Sequence, residues 1–310
     1  MSDTVEKFPA GGAPAARKRL TTRFAPTPSG YMHLGHAYSA LVGWRAAQAA
    51  GGRLVLRIED IDHDRCQPEF EDAIPRDLAW LGIDWEGPIR RQSEHLADYA
   101  AALEELSRRG VLYPCFCTRK EIRAEVARAN AAPHGTDEPR YPGTCRALGR
   151  QEQNRRIRAG QAHALRLDVA KAATLVGPLT WRDRRAGVIE AEVTVQGDVV
   201  LARKDVPTSY HLAVTLDDHL QGVTLVTRGY DLFEATHVHR LLQALLDLRT
   251  PDYHHHPMIT DPNGVRLAKR NRAVTLRSLR NAGKTAAEVI AMVPDHGGLD
   301  QRCKPETISK

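Results

Sequence analysis

The chain has little of what would tie it to a membrane or to an oxidising compartment. No apolar run in its 310 residues is long enough to span a bilayer, which excludes a helical membrane protein. Residues 1–19 are rich in Ala, Gly and Pro and lack a continuous apolar core. They form no secretory signal and read as a disordered tail, so a cytoplasmic location is expected. Cysteine is scarce, five in all, and three of the five cluster between Cys115 and Cys145, which favours a metal over a disulfide framework. Cys66 and Cys303 stand apart and read as plain thiols. Aromatic residues are few, at 5%, beside 26% charged residues, a balance ordinary for a soluble enzyme. Acid does not dominate: the net charge is +6 and the pI about 9.1. That modest positive excess fits a polyanionic partner, although it fits a merely soluble surface too. The length allows a full core and two domains.

What is present is organised around Arg23-Phe24-Ala25-Pro26-Thr27-Pro28-Ser29-Gly30-Tyr31-Met32-His33-Leu34-Gly35-His36. A short strand over residues 20–25 precedes it, and two prolines and a glycine force a turn. A helical pattern runs from Leu34 through Ala47 and stops at Gly51-Gly52. His33 and His36 therefore sit at the start of a helix that leaves a strand. Helix N-termini offer free N–H groups and a positive dipole end, which suits phosphate, and Gly35 lets a nucleotide approach the backbone. The two imidazoles can donate to a phosphate oxygen whose charge grows in a transition state.

Residues 53–58, Arg-Leu-Val-Leu-Arg-Ile, read as a second strand, which ends in Glu59. In open parallel sheets ligands bind at the carboxyl ends of strands, so Arg23–Thr27 and Glu59 are expected side by side. Asp60, Asp62, Asp64 and Glu71 imitate the spacing of a calcium loop, but Arg65 stands where glycine is needed and Pro68 interrupts it. Residues 70–81, 92–109, 152–160 and 237–248 have helical character, and residues 164–167 and 191–201 alternate as strands do. Trp181 to Gly187 reads as a basic turn carrying Arg182, Arg184 and Arg185.

Cys115-Phe116-Cys117 and, after a helical stretch, Tyr141-Pro142-Gly143-Thr144-Cys145 have the outline of a zinc knuckle. The residues alone give a three-cysteine site with an open fourth position, for which His134 and Tyr141 compete. Tyr210 opens a helix, and Arg228 ends a strand where its guanidinium can meet a carboxylate bidentately. His254-His255-His256 reads as a strand-edge coincidence, because no other ligand pattern surrounds it.

Together these motifs resemble the class I aminoacyl-tRNA synthetases of the glutamyl branch, over about residues 20–277. His33-Leu34-Gly35-His36 is similar to the first signature of that class. Gly264-Val265-Arg266-Leu267-Ala268-Lys269-Arg270-Asn271 is similar to the second, with Lys269 at its second lysine, Arg266 for the first and Ala268 for serine. Arg57 to Asp62 matches the glutamyl Arg-Ile-Glu-Asp-x-Asp, and Gln92-Ser93 its Gln-Ser junction. The resemblance implies a Rossmann-like α/β catalytic domain with a zinc-bearing inserted domain. It divides the chain into a tail (1–19), a first nucleotide-binding half (20–111), the insertion (112–204), a second half (205–256), and the signature loop with a short C-terminal segment (257–310). It implies His33, His36 and Lys269 as catalytic groups and His33, Gly35, His36 and Lys269 as the ATP site, with Mg²⁺. Arg23, Phe24, Ala25, Pro26, Thr27, Glu59, Tyr210 and Arg228 would hold glutamate, Glu59 at its ammonium group. Cys115, Cys117, Tyr141 and Cys145 would hold one structural Zn²⁺. Because only a short polar segment follows Lys269, no anticodon-binding domain is expected. The resemblance therefore narrows to the truncated glutamyl-queuosine tRNA(Asp) synthetase family. It implies tRNA-independent activation of glutamate and transfer to queuosine at the wobble position of tRNA(Asp), with no membrane or protein partner. A short glutamyl-tRNA synthetase charging a 3′ end and a non-catalytic RNA- or zinc-binding paralogue remain alternatives.

Overall fold

Two parallel half-sheets meet edge to edge in the computed structural model, which describes residues 19–122, 141–259 and 274–294. In the first half, β1 (Thr21–Phe24) pairs with β2 (Arg53–Ile58), and β3 (Arg90–Arg91) adds to the far side of β2. In the second, β9 (Leu225–Gly229) pairs with β10 (Asp252–His256), which pairs with β6 (Thr180–Asp183). β7 (Gly187–Glu190) closes that edge as the antiparallel hairpin partner of β6. The backbone N–H of Thr224 donates to Thr21 O at 2.9 Å and joins the halves at β1 and β9. The order β3-β2-β1 followed by β9-β10 is that of a doubly wound nucleotide-binding sheet, whose switch point falls between β1 and β9.

Local chemistry explains the first unit. β2 is a run of apolar residues bracketed by arginines, and all but its first residue are buried. The chain returns from β1 through α1 (Leu34–Ala49), which His33 caps. The helix ends at Gly51, with φ 57°, and at Gly52, where a Cβ would lie 2.3 Å from Leu20 O; no larger residue lets the chain re-enter the sheet so tightly. α2 (Pro68–Trp80) starts with proline in its first turn beside Glu69 and Glu71, which suit the positive end of the helix dipole. Phe24, Leu41, Leu56, Ile74 and Leu78 form the core of this half, closed below by α8 (Leu276–Asn281) and α9 (Ala286–Ala291).

A second core gathers α3 (Leu96–Arg108), α5 (Val169–Val176), α6 (Tyr210–Leu220) and α7 (Ala235–Leu245) around Leu106, Leu167, Leu212 and Leu242. Between the halves, β4 (Leu112–Cys115), β5 (Ala164–Leu167) and β8 (Val200–Ala202) form a separate antiparallel sheet; α4 (Arg150–Arg158), between β4 and β5 in the chain, is a polar helix whose one apolar residue, Ile157, is exposed.

Two sequence expectations need correction. Residues 191–201 are not one strand: only Val200–Ala202 is extended, and residues 193–196 form turns closed by Val195 N–H to Glu192 O at 3.1 Å and Gly197 N–H to Thr194 O at 3.1 Å. The apolar alternation there arises from turn residues leaning on neighbouring cores, where Val193 packs. The histidine run is not at a strand edge either. β10 lies between β9 and β6, and His254, His255 and His256 are all buried.

Candidate active site

The carboxyl ends of β1, β2, β9 and β10 open onto one cavity of about 540 Å³. Arg23, Phe24, Ala25, Pro26, Thr27, His33, Gly35, His36, Glu59, Tyr210 and Arg228 all line it. The expected adjacency of Arg23–Thr27 and Glu59 is explicit: the Glu59 N–H donates to Pro26 O at 3.0 Å. Lys269, Arg266 and Ala268 lie outside the described residues.

The start of α1 differs in detail from the free N–H groups expected there. His33 is the N-cap, and its Nδ1 accepts the Gly35 N–H at 3.0 Å. His36 Nδ1 accepts the His33 N–H at 3.2 Å. Two backbone donors are thus consumed by the imidazoles themselves. With both Nδ1 atoms accepting, each neutral ring carries its proton on Nε2. The rings sit 4.0 Å apart. What the helix start presents is therefore a pair of oriented ring donors rather than bare peptide groups.

Beneath the cavity lies an ion network that sequence reading left without a role. Arg57, fully buried, donates to Asp218 Oδ1 at 2.9 Å and to Gln221 Oε1 at 2.9 Å and lies 3.5 Å from Glu59 Oε1. Arg23 donates to Asp218 at 3.2 Å and to Thr227 O at 2.8 Å. Asp217 accepts from Arg90, Gln92 and Tyr99. The signal was present: Asp217-Asp218 inside an apolar helix and Arg57 inside an apolar strand predict mutual pairing, because buried charge needs a partner. Burial pushes the Glu59 carboxyl up, against the pull of Arg57 and Arg23. Glu59 is thus a buried acceptor at the cavity wall, suited to an ammonium group.

Arg228 is different. It is 4% exposed, yet among the described residues no carboxylate lies within ion-pair distance of it. Its donors meet neutral groups: His255 Nε2 at 3.1 Å, His239 Nδ1 at 3.2 Å, Thr236 Oγ1 at 2.6 Å and Tyr210 Oη at 3.3 Å. Burial holds His239 well below its usual pKa and Tyr210 above its own, so neither contributes a charge. A buried guanidinium held only by neutral acceptors keeps its charge uncompensated and so can receive an anion. His256, Met258 and Asp231 also line the cavity, and His256 Nε2 lies 3.2 Å from Ser39 Oγ. Sequence reading gave these residues no role: His256 falls in the histidine run read as a coincidence, and nothing in the spacing of Met258 or Asp231 marks them.

Away from the cavity, Cys115, Cys117 and Cys145 bring their sulfurs within 4.8 Å of one another. Cys117 and Cys145 are 3.4 Å apart, and Tyr141 Oη lies 3.7 Å from Cys117 Sγ. Zinc–sulfur bonds of about 2.3 Å in a tetrahedron give sulfur–sulfur edges of about 3.8 Å, so the spacing fits a metal. Tyr141 Oη also accepts the Cys145 N–H at 2.7 Å, which ties the phenol to the cluster, and Arg166 lies 3.9 Å above its ring. His134 lies outside the described residues. The basic turn is shorter than expected, since Trp181, Arg182 and Asp183 belong to β6 and only residues 184–186 turn into β7: Arg182 is exposed on the strand, Arg184 faces Asp252 at 3.7 Å, and Arg185 donates to His255 O at 3.3 Å.

Comparison with known proteins places this geometry. Residues 19–297 match the family of class I tRNA synthetases (E and Q), catalytic domain. The glutamyl-Q tRNA(Asp) synthetase of Rhodobacter capsulatus is 47% identical over 280 residues, covering 88% of this chain and 99% of that protein. That of Symbiobacterium thermophilum is 40% identical over 92% of this chain and 89% of its own length. A glutamate–tRNA ligase of Coprothermobacter proteolyticus is 38% identical, but this chain covers only 55% of it. The crystal structure of a glutamate tRNA ligase from Elizabethkingia meningosepticum, in complex with its amino acid, superposes with a TM-score of 0.69 at 29% identity. The match covers 82% of this chain and 52% of that one, so the chain spans about half the length of that ligase. By the family match and by these relatives, the chain belongs to the class I tRNA synthetases of the glutamyl and glutaminyl branch, and its cavity lies in their catalytic domain.

Proposed function

We propose that this protein activates glutamate with ATP and transfers it to queuosine at the wobble position of tRNA(Asp). The observation that carries the reading is the cavity that holds Glu59 and Arg228 beside His33 and His36. It pairs an ammonium acceptor and a carboxylate receptor with two phosphate-directed donors. Relatives matched over nearly their whole length and named for this reaction support the acceptor.

In the first step the α-carboxylate of glutamate attacks the α-phosphorus of ATP. The bond to the bridging oxygen breaks, and pyrophosphate leaves with that electron pair. His33 and His36 donate from Nε2 to the phosphate oxygens as charge grows on them. Lys269 neutralises the departing pyrophosphate, and Mg²⁺ accompanies ATP. Glu59 holds the ammonium group, Arg23 and the Phe24–Thr27 turn frame the substrate, and Tyr210 and Arg228 take the side-chain carboxylate. In the second step a hydroxyl of the queuosine cyclopentene diol attacks the acyl carbon, AMP leaves, and the hydroxyl proton goes to solvent. The diol stands in for the ribose diol of a terminal adenosine. Arg182 on β6, with Arg184 and Arg185 on the β6–β7 turn, contacts RNA phosphate.

Glutamate-dependent pyrophosphate exchange is expected without any tRNA. Radiolabelled glutamate is then expected to appear on tRNA(Asp) from cells that make queuosine and not on tRNA(Asp) from cells that do not. Label on the terminal adenosine, or equal labelling of both RNAs, overturns the acceptor.

Cys115, Cys117, Cys145 and Tyr141 hold one zinc ion, with the protein cytoplasmic. Four protein ligands close such a site, so the metal stabilises its sheet and takes no part in the chemistry. Metal analysis should find about one zinc per chain and little in Cys117→Ser. Full zinc content in a variant lacking all three cysteines sinks the assignment.

A further inference from the structure

Behind Arg228, outside the residues that line the cavity, lie side chains that the proposed reaction does not use. Asp183, at the end of β6, is 1% exposed, and its carboxylate is fully engaged. Oδ1 accepts the N–H groups of Arg185 at 2.8 Å and Ala186 at 3.0 Å. Oδ2 accepts the His255 N–H at 3.0 Å and lies 2.8 Å from His255 Nδ1. Burial works against the charge on Asp183, but the hydrogen bonds from His255, Ala186 and Arg185 outweigh it and hold the carboxyl below its usual range.

An ionised carboxylate can only accept, so the His255 proton sits on Nδ1. Burial pushes the imidazole down to about 4 despite Asp183, so near neutrality the ring carries that one proton. Nε2 is therefore an acceptor. It meets Arg228 Nε at 3.1 Å and the Thr236 hydroxyl at 3.2 Å, and the same hydroxyl oxygen accepts from Arg228 Nη2 at 2.6 Å. The opposite tautomer would set an Nε2–H against the guanidinium N–H, donor against donor.

We propose that Asp183 is a positioning residue for amino-acid selection, fixing His255 in the Nδ1–H tautomer so that Nε2 locates the Arg228 guanidinium for the ligand's side-chain carboxylate. This rests on the reading that Arg228 receives that carboxylate. The arrangement has a physical logic. A carboxylate placed directly on Arg228 would cancel its charge and compete with the ligand. Asp183 instead acts through a neutral ring, which orients the guanidinium and leaves its charge for the substrate.

Asp183 also caps the β6–β7 turn, so the test must separate tautomer from turn. In Asp183→Asn the amide oxygen can still accept from Arg185 and Ala186, while its NH₂ faces both the His255 backbone N–H, a donor clash in either tautomer, and the ring, where it favours the wrong tautomer. Pyrophosphate exchange should show KM for glutamate raised about tenfold to a hundredfold, with KM for ATP within about twofold of wild type. Adding His255→Gln should recover the tautomer part of that loss, since an amide oxygen replaces Nε2 and has no tautomer to lose, while the clash at the residue 255 backbone N–H is the same in both variants. Failure of that rescue, or an unchanged glutamate KM in Asp183→Asn, overturns the proposal. Nitrogen-15 NMR of the wild type should show His255 protonated at Nδ1, its signals identified by their loss in His255→Gln; protonation at Nε2 overturns it as well. If Asp183→Asn does not fold, that spectrum decides together with His255→Ala, whose glutamate KM must rise. A wild-type protein with no glutamate-dependent exchange defeats the functional reading, and the spectrum still judges the arrangement of Asp183 and His255.

Discussion

Arg228→Ala is expected to lower kcat/KM for glutamate in pyrophosphate exchange on the order of 10³-fold, the scale of removing one partner from a buried ion pair. The substitution strips the cavity of its one buried cation that no carboxylate of the described residues opposes. Arg23, Arg57 and Arg90 cannot substitute, because Asp217 and Asp218 already hold them. Glutamate would then bury a bare carboxylate. Glutamine carries none, so the variant should lose its preference for glutamate over glutamine as well as its rate. Stability should move the other way. A buried guanidinium without a counter-charge costs folding energy, so Arg228→Met should unfold at an equal or higher temperature than wild type. Glutamate exchange at the wild-type rate in Arg228→Ala would show that the side-chain carboxylate is recognised elsewhere.

His33→Asn is expected to cost about 10² to 10³ in kcat for adenylate formation, the usual loss for one donor that meets developing transition-state charge. Asparagine is chosen because it is itself a good N-cap. Its side-chain oxygen can accept the Gly35 N–H that His33 Nδ1 accepts now, while no atom replaces Nε2–H. Thermal stability should therefore stay close to wild type as the rate falls. His36→Asn should behave alike, because its oxygen can keep the bond from the His33 N–H. His36→Gln, whose amide nitrogen can reach toward the lost Nε2, should retain more activity than His36→Asn. Unaltered single-turnover adenylation in both asparagine variants refutes the donor role. A fall in rate matched by a fall in melting temperature would assign the histidines to capping alone.

Much of this site is legible in the chain because its parts are local. The turn at Pro26–Gly30, the cap at His33 and the strand over residues 53–58 each depend on residues within a few positions of one another. Backbone geometry then carries Arg23, Glu59 and Arg228 to strand ends, where an open parallel sheet places ligands. The cysteine cluster is legible for a similar reason, since few roles other than metal bring three thiols so close in spacing. The expected strand over residues 191–201 fails because alternation records which residues find a core, not whether the backbone is extended.

Propensity, turn chemistry and motif spacing act at short range, so the chain alone marks the strand ends and helix starts that carry its charged and imidazole groups. How those groups act on one another depends on packing between distant segments. Asp218 sits beside Arg57, 161 positions away, and Asp183 beside His255, 72 positions away. A histidine run with no meaning in sequence becomes the buried middle strand of a half-sheet, with one ring turned into an acceptor by a carboxylate from the next strand. Burial is the physical reason. Low dielectric makes every charge and ring proton answer to its neighbours in space, and those neighbours exist only once the two half-sheets have come together.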